Sequence, residues 1–151
     1  MDLPKAKRII ADNYLNHANS LCYLMNEECE FSAAAFWEYY DAIAFVTRNS
    51  IKNETLSAQI GLGYQKFLKE IICHFAPNDA AVMKHFPENY NDYIERLDFA
   101  VRAYFEGTPE LLNDALFDLQ KQTEDRNHAD RPSISETSAK NHCSLSGLPR
   151  T

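Results

Sequence analysis

Apolar residues recur at three- and four-residue intervals through most of the first 125 positions, the spacing of one face of a helix. Over residues 4–27, Ile10, Tyr14, His17, Leu21 and Leu24 trace a single stripe, and Pro4 suits a first helical turn, so one helix is expected there. Ser32 is a natural N-cap for a second helix over 32–49, whose face runs Phe36, Tyr40, Ile43 and Thr47 with Trp37 and Ala44 alongside. Asn53 is placed to cap a third over 54–75, with Ile60, Tyr64, Phe67, Leu68, Ile71, Ile72 and Phe75 in its stripe and Pro77 beyond its end. A shorter piece is expected over 78–86. The next helix, over 88–106, presents Tyr90, Tyr93, Ile94, Leu97, Val101 and Tyr104 and stops at Gly107. Thr108-Pro109-Glu110 is a start signal for a last helix over 109–124 that would bury Leu112, Ala115, Leu116 and Leu119. No segment alternates as a strand and no repeat occurs. The pattern predicts an all-α fold: a single-domain bundle of five or six helices over residues 1–125, then a flexible polar tail over 126–151.

Composition agrees with that fold. A chain of 151 residues, 45% of them hydrophobic, can bury a core without disulfides or metals. Four glycines and six prolines are too few for a turn-dense β-sandwich or barrel. The N-terminal stretch lacks the apolar run of a signal peptide, and the longest apolar run, 42–46, is far short of a membrane span. A cytoplasmic location away from membranes is therefore expected. Cys22, Cys29, Cys73 and Cys143 form no CxxC, and no histidine pair has zinc-finger spacing. They read as reduced thiols, the first three helix-buried and Cys143 exposed in the tail. No metal or other cofactor is expected.

Charge changes the picture more. The net charge of −7 is unevenly spread: residues 1–125 hold 20 acids and 11 bases, a net −9, whereas 126–151 hold 2 acids and 4 bases, a net +2. Such a body repels nucleic acid at long range and attracts a basic protein, so direct DNA binding is not expected.

The densest candidate for chemistry is FWEYYDAIAFVTRNS, residues 36–50. On a helix its aromatics belong mainly to a core, leaving Glu38, Asp41 and Arg48 outside. Glu38 and Asp41 are three apart and adjacent in space, and a metal site combining Glu38 with Glu70 and His74 is conceivable. The repeated Glu-x-x-His of bundle metal sites is absent, however. The run Arg48-Asn49-Ser50-Ile51-Lys52-Asn53, closing an aromatic-rich helix, resembles the Arg-polar…His motif of HEPN-type helical bundles, many of them ribonucleases of toxin and defence systems. The resemblance implies that Arg48 binds a scissile phosphate while a histidine assists the 2′-hydroxyl chemistry. Asn53 stands where that histidine belongs, and asparagine exchanges no proton near neutral pH. The run thus implies an inactive relative, or an enzyme whose histidine arrives from elsewhere in the fold. Arg126-Asn127-His128 has the residues without the spacing. Arg48 and Asn49 also suit a plain helix terminus.

Gly61-Leu62-Gly63 lacks the strand and third glycine of a dinucleotide loop and more simply permits close helix packing. His17 on an apolar stripe reads as a core histidine, and His85 as a surface one. The most useful positive feature is acidic: residues 88–125 hold ten acids and three bases. Glu110, Asp114 and Asp118 recur every four residues, which on a helix makes a carboxylate row about 6 Å apart. Asp92, Glu95 and Asp98 add to it from the preceding helix. No Lys or Arg stands four residues on from Glu110, Asp114 or Asp118 to relieve their repulsion. With no catalytic constellation in view, a binding protein is favoured over an enzyme. The expectation is a small acidic interaction module whose six carboxylates engage a basic partner protein, in its most specific form an immunity- or antitoxin-like inhibitor of a toxin or nuclease. A homodimer is compatible with so small a bundle. The alternative is the HEPN-like ribonuclease, or its inactive relative, centred on Arg48.

Overall fold

A computed structural model of the protein describes residues 1–76 and 82–121. Five α-helices account for most of them, and no strand occurs among the described residues. The first is α1, Leu3–Leu15: Asp2 accepts a hydrogen bond from the Lys5 amide at 2.8 Å, and Pro4 sits in the first turn. The stripe expected to run unbroken over 4–27 is in fact two helices. Asn16 and Asn19 both take left-handed backbone conformations, with φ of 60° and 70°, which asparagine tolerates better than most residues. Ser20 then caps α2, Leu21–Glu27, by accepting from the Tyr23 amide. The junction is stitched by buried Asn13, whose Nδ2 donates to the Ile9 carbonyl and whose Oδ1 accepts from the Cys22 amide.

Ser32 and Asn53 cap α3, Ala33–Arg48, and α4, Glu54–His74, as their side chains predict, accepting from the Ala35 and Leu56 amides. Helix α3 is the axle of the bundle. Phe36, Trp37, Tyr39, Tyr40, Ala42, Ile43, Ala44 and Val46 are all buried, so three sides of it face other helices. It packs on α1 and on α5, Tyr90–Glu106, while α4 packs on α1, α2 and α5. Helices α4 and α5 run antiparallel: Gly61 lies beside Phe105, the Tyr64 hydroxyl donates to Asp98 at 3.0 Å, and Phe75 meets Tyr90 with ring centroids 5.0 Å apart. Gly107, at φ 71°, closes α5.

Two further expectations change. Within the piece expected over 78–86, residues 77–81 lie outside the described residues, and 82–86 are not helical. Lys84 makes an isolated parallel bridge with Glu30, exchanging hydrogen bonds with the Phe31 amide and the Cys29 carbonyl. Through Lys121, the helix expected over 109–124 is instead two short 3₁₀ turns, Pro109–Leu112 and Asp114–Leu116, and residues 122–124 lie outside the described residues. Between them Asn113 is extended, with ψ 121°, and its side chain accepts from the Ala115 amide, competing with helix continuation. Phe117 is extended again, so it turns inward while Ala115 and Leu116 are exposed. Leu112 is buried and Leu119 half-buried, as expected. Met1–Lys121 make one compact unit, and no described helix is long and apolar enough to cross a membrane. The tail over 126–151, with Cys143 and Arg126-Asn127-His128, lies outside the described residues.

Candidate functional site

The aromatics of α3 are core. Phe36 meets Trp37, Tyr93 and Phe67 with centroids 4.8–6.2 Å apart, the first two edge-on. The carboxylates on the outer side of α3 separate: Glu38 pairs with Lys5 at 3.5 Å and Asp41 with Lys121. His74 is occupied elsewhere, its Nδ1 accepting from the Met83 amide while its ring stacks on Phe86 at 4.1 Å. No cluster of three His, Cys, Asp or Glu able to hold a metal occurs among the described residues. His17, expected in the core, is exposed and bonded to Asp12 at 2.9 Å, because the left-handed turn after Asn16 swings it out of the stripe. His85 is exposed as expected. Cys22 is buried in α2 and its thiol donates to the Gly63 carbonyl; burial pushes that thiol up to about 12. Cys29 lies outside any helix with φ 48° and, like Cys73, is only half-buried.

The run resembling the HEPN motif is held by structural contacts. Arg48 reaches the Leu112 carbonyl at 3.5 Å, Asn49 donates to the Phe45 carbonyl at 2.8 Å, and Asn53 is the cap of α4. His17 and His74 are engaged with Asp12 and Phe86 and do not partner Arg48.

The six acidic residues fall on α5 and on the segment following it, which packs against α5 and α3. The helical row of Glu110, Asp114 and Asp118 does not form, since Glu110 and Asp114 lie on separate 3₁₀ turns and Asp118 follows extended Phe117. Three carboxylates are fixed. Asp92 accepts from Asn89 at 3.0 Å, Asp98 from Tyr64 at 3.0 Å, and Asp114 pairs with Arg96. Burial, followed by the Asp98 contact, raises the Tyr64 hydroxyl, which keeps it a donor. Glu95, Glu110 and Asp118 are exposed and have no ion-pair partner among the described residues. Exposed Phe105 and Leu116 lie on the same two elements.

Arg96 is the residue sequence reading missed. It is 2% exposed, and its guanidinium carbon sits 5.4 Å from the Trp37 ring centroid, 4.7 Å from Tyr40 and 4.3 Å from Phe117. Nη2 bonds to Asp114, while among the described residues Nε and Nη1 have no hydrogen-bond partner, nor has the buried Tyr40 hydroxyl. Burial raises that hydroxyl's pKa, partly offset by the charge of Arg96. The signal in the sequence was spacing: Arg96 stands four and seven residues before buried Ala100 and Ala103, on the inward face of α5. Comparison with protein-family models, with curated proteins and with solved structures finds no match to this chain.

Proposed function

We propose that the chain is a small protein-interaction module that receives a basic partner protein on the side formed by α5 and residues 109–121. The observation carrying this reading is the trio Glu95, Glu110 and Asp118, exposed and without an ion-pair partner among the described residues, on a chain of net charge −7. Exposed, unneutralised carboxylates of one sign steer an oppositely charged partner and speed its encounter. Asp92 and Asp98, held by Asn89 and Tyr64, add charge whose geometry is set before binding. Exposed Phe105 and Leu116, on α5 and the segment after it, supply apolar contact, as an interface needs where its centre is dry. An inhibitor of the immunity or antitoxin kind, covering the basic substrate channel of a toxin or nuclease, is the most specific form of this function. The ribonuclease reading draws no comparable support, because Arg48 serves the Leu112 carbonyl and Asn53 serves α4.

The test is capture of proteins from native lysate by the wild type, by Glu95→Lys/Glu110→Lys/Asp118→Lys, and by Arg48→Ala. Basic proteins enriched by the wild type and by Arg48→Ala, and lost with the triple variant, support the proposal. Identical capture by all three, or RNA cleavage that disappears with Arg48→Ala, sinks it.

A further inference from the structure

We propose that Arg96, walled by Trp37 and Tyr40, is a binding site for a ligand carrying an anionic group on an aromatic ring, and that residues 113–121 are its removable plug. In this arrangement the Asp114 carboxylate stands in the anion's place and the Phe117 ring in the aromatic's place.

The first support is unmet demand. A guanidinium offers five N–H donors in a planar fork. Arg96 is 2% exposed, yet among the described residues one nitrogen alone has a partner, and two have none. Buried donors of this kind are nearly always satisfied, and leaving them unpaired is unfavourable. The present tenant satisfies them poorly: the Asp114 side chain is 68% exposed and reaches Arg96 from the solvent side. A phosphate, with three acceptor oxygens, can engage more of the fork than one carboxylate oxygen does.

The second support is how the plug is held. The walls belong to α3 and α5 and stay when it leaves. Among the described residues no backbone hydrogen bond joins residues 113–121 to the five helices. Apart from the Asn113 N–H to the Glu110 carbonyl at its root, its backbone bonds are internal: Leu116 N–H to the Asn113 carbonyl, Phe117 N–H to the Asp114 carbonyl, and the Gln120 side-chain amide to the carbonyls of Asp114 and Phe117. Attachment is by side chains, through Asp114 on Arg96, Lys121 on Asp41, Phe117 against Arg96 and Phe99, and half-buried Leu119 packed against the core. The plug can therefore leave without breaking any helix. Its root is marked by a second cation, Arg48, which holds the Leu112 carbonyl at 3.5 Å and whose charge also reaches the Tyr40 hydroxyl.

The third support is charge balance. Leaving a buried guanidinium without a counter-charge is strongly unfavourable, so exchange favours an incoming group that is itself anionic. A ring taking the place of Phe117 keeps the cation–π contact, which a bare anion does not.

Trp37, the one tryptophan of the chain, lies 5.4 Å from Arg96 and reports on the site directly. The experiment titrates phenyl phosphate into the full chain, following Trp37 emission, with inorganic phosphate and phenol as separate arms. Circular dichroism checks the fold of each variant. A saturable change is expected in the wild type. In Asp114→Asn and Phe117→Ala it should occur at about tenfold lower ligand, because one competing charge-assisted or ring contact has gone. Inorganic phosphate should bind more weakly than phenyl phosphate, and phenol should not saturate. Arg96→Met, an apolar replacement of similar length that an aromatic cage accepts, should abolish the response. A folded Asp114→Asn and a folded Phe117→Ala that both give no saturable response overturn the proposal. Equal responses to phenol and phenyl phosphate do so too, as does a response surviving in Arg96→Met.

Discussion

Replacing glycine by alanine inside a helix normally stabilises it, by about 0.8–1.0 kcal/mol. Helix α4 offers two such sites, two residues apart, and the structure predicts opposite signs for them. At Gly61 an added Cβ would meet the Phe105 ring edge at 3.8 Å, an ordinary contact, so Gly61→Ala should stabilise by about 0.5–1 kcal/mol. At Gly63 the added Cβ would fall inside 3.0 Å of the Tyr39 hydroxyl and 3.3 Å from the ring carbon bearing it. Tyr39 is fully buried on the axle helix, so its ring has no solvent side to move toward. Overpacking of this kind costs about 1–3 kcal/mol. Set against the propensity gain, Gly63→Ala should destabilise by about 1–2 kcal/mol, lowering Tm by about 4 °C per kcal/mol at this size. Tyr39→Phe removes the clashing oxygen, which has no hydrogen-bond partner of its own, and should be neutral or stabilising by up to about 1 kcal/mol. The assay is urea unfolding of the two glycine variants, Tyr39→Phe and the Tyr39→Phe/Gly63→Ala pair. The double variant should recover about 1 kcal/mol or more of the loss. Gly63→Ala as stabilising as Gly61→Ala, or no recovery in the pair, would refute the close approach of Gly63 to the Tyr39 ring.

Asn13→Ala removes the hydrogen bond that joins α1 to α2, together with the one that anchors the side chain on the Ile9 carbonyl within α1, and leaves the Cys22 amide unpaired, so urea unfolding should show a loss of about 1–3 kcal/mol. Phe36→Ala empties the centre of the aromatic cluster and should cost about 3–5 kcal/mol by the same measurement; a loss under about 1 kcal/mol would place Phe36 outside the core. Cys22 should resist iodoacetamide in the folded chain at pH 8 while half-buried Cys29 and Cys73 react, as read by mass spectrometry of digests. Burial raises the Cys22 thiol from its ordinary 9.0 to about 12, so above pH 9 the unfolded chain binds fewer protons than the folded one. Stability should be intact below pH 9 and fall progressively between 9 and about 12, with a shallower fall in Cys22→Ala.

Caps were the legible part of the fold. Ser32, Asn53 and Gly107 mark helix ends through local chemistry that needs no tertiary partner, and each does so in the structure. Periodicity misled where backbone conformation, which it does not encode, decides the path. The stripe from Ile10 to Leu24 continues through Asn16–Asn19 although two left-handed asparagines break the helix there. Thr108-Pro109 correctly announced a new element, but extended Asn113 broke the helix and placed Phe117 inward in place of Leu116. The acidic residues were visible by type alone. Which of them are free and which are fixed depended on Asn89, Tyr64 and Arg96, partners brought close by folding. Arg96 itself was hidden by its charge, since an arginine on a helix ordinarily faces water.

The interaction claim is tested most directly by the salt dependence of affinity for a partner captured by the wild type. Binding to the wild type and to Glu95→Lys/Glu110→Lys/Asp118→Lys would be titrated from low to high ionic strength. The acidic face predicts an affinity that falls as salt rises, because exposed charges are screened within about 8 Å at physiological ionic strength. It also predicts a loss of at least about tenfold at low salt in the triple variant, equivalent to about 1.4 kcal/mol across three reversed charges. An affinity indifferent to both salt and charge reversal would contradict it.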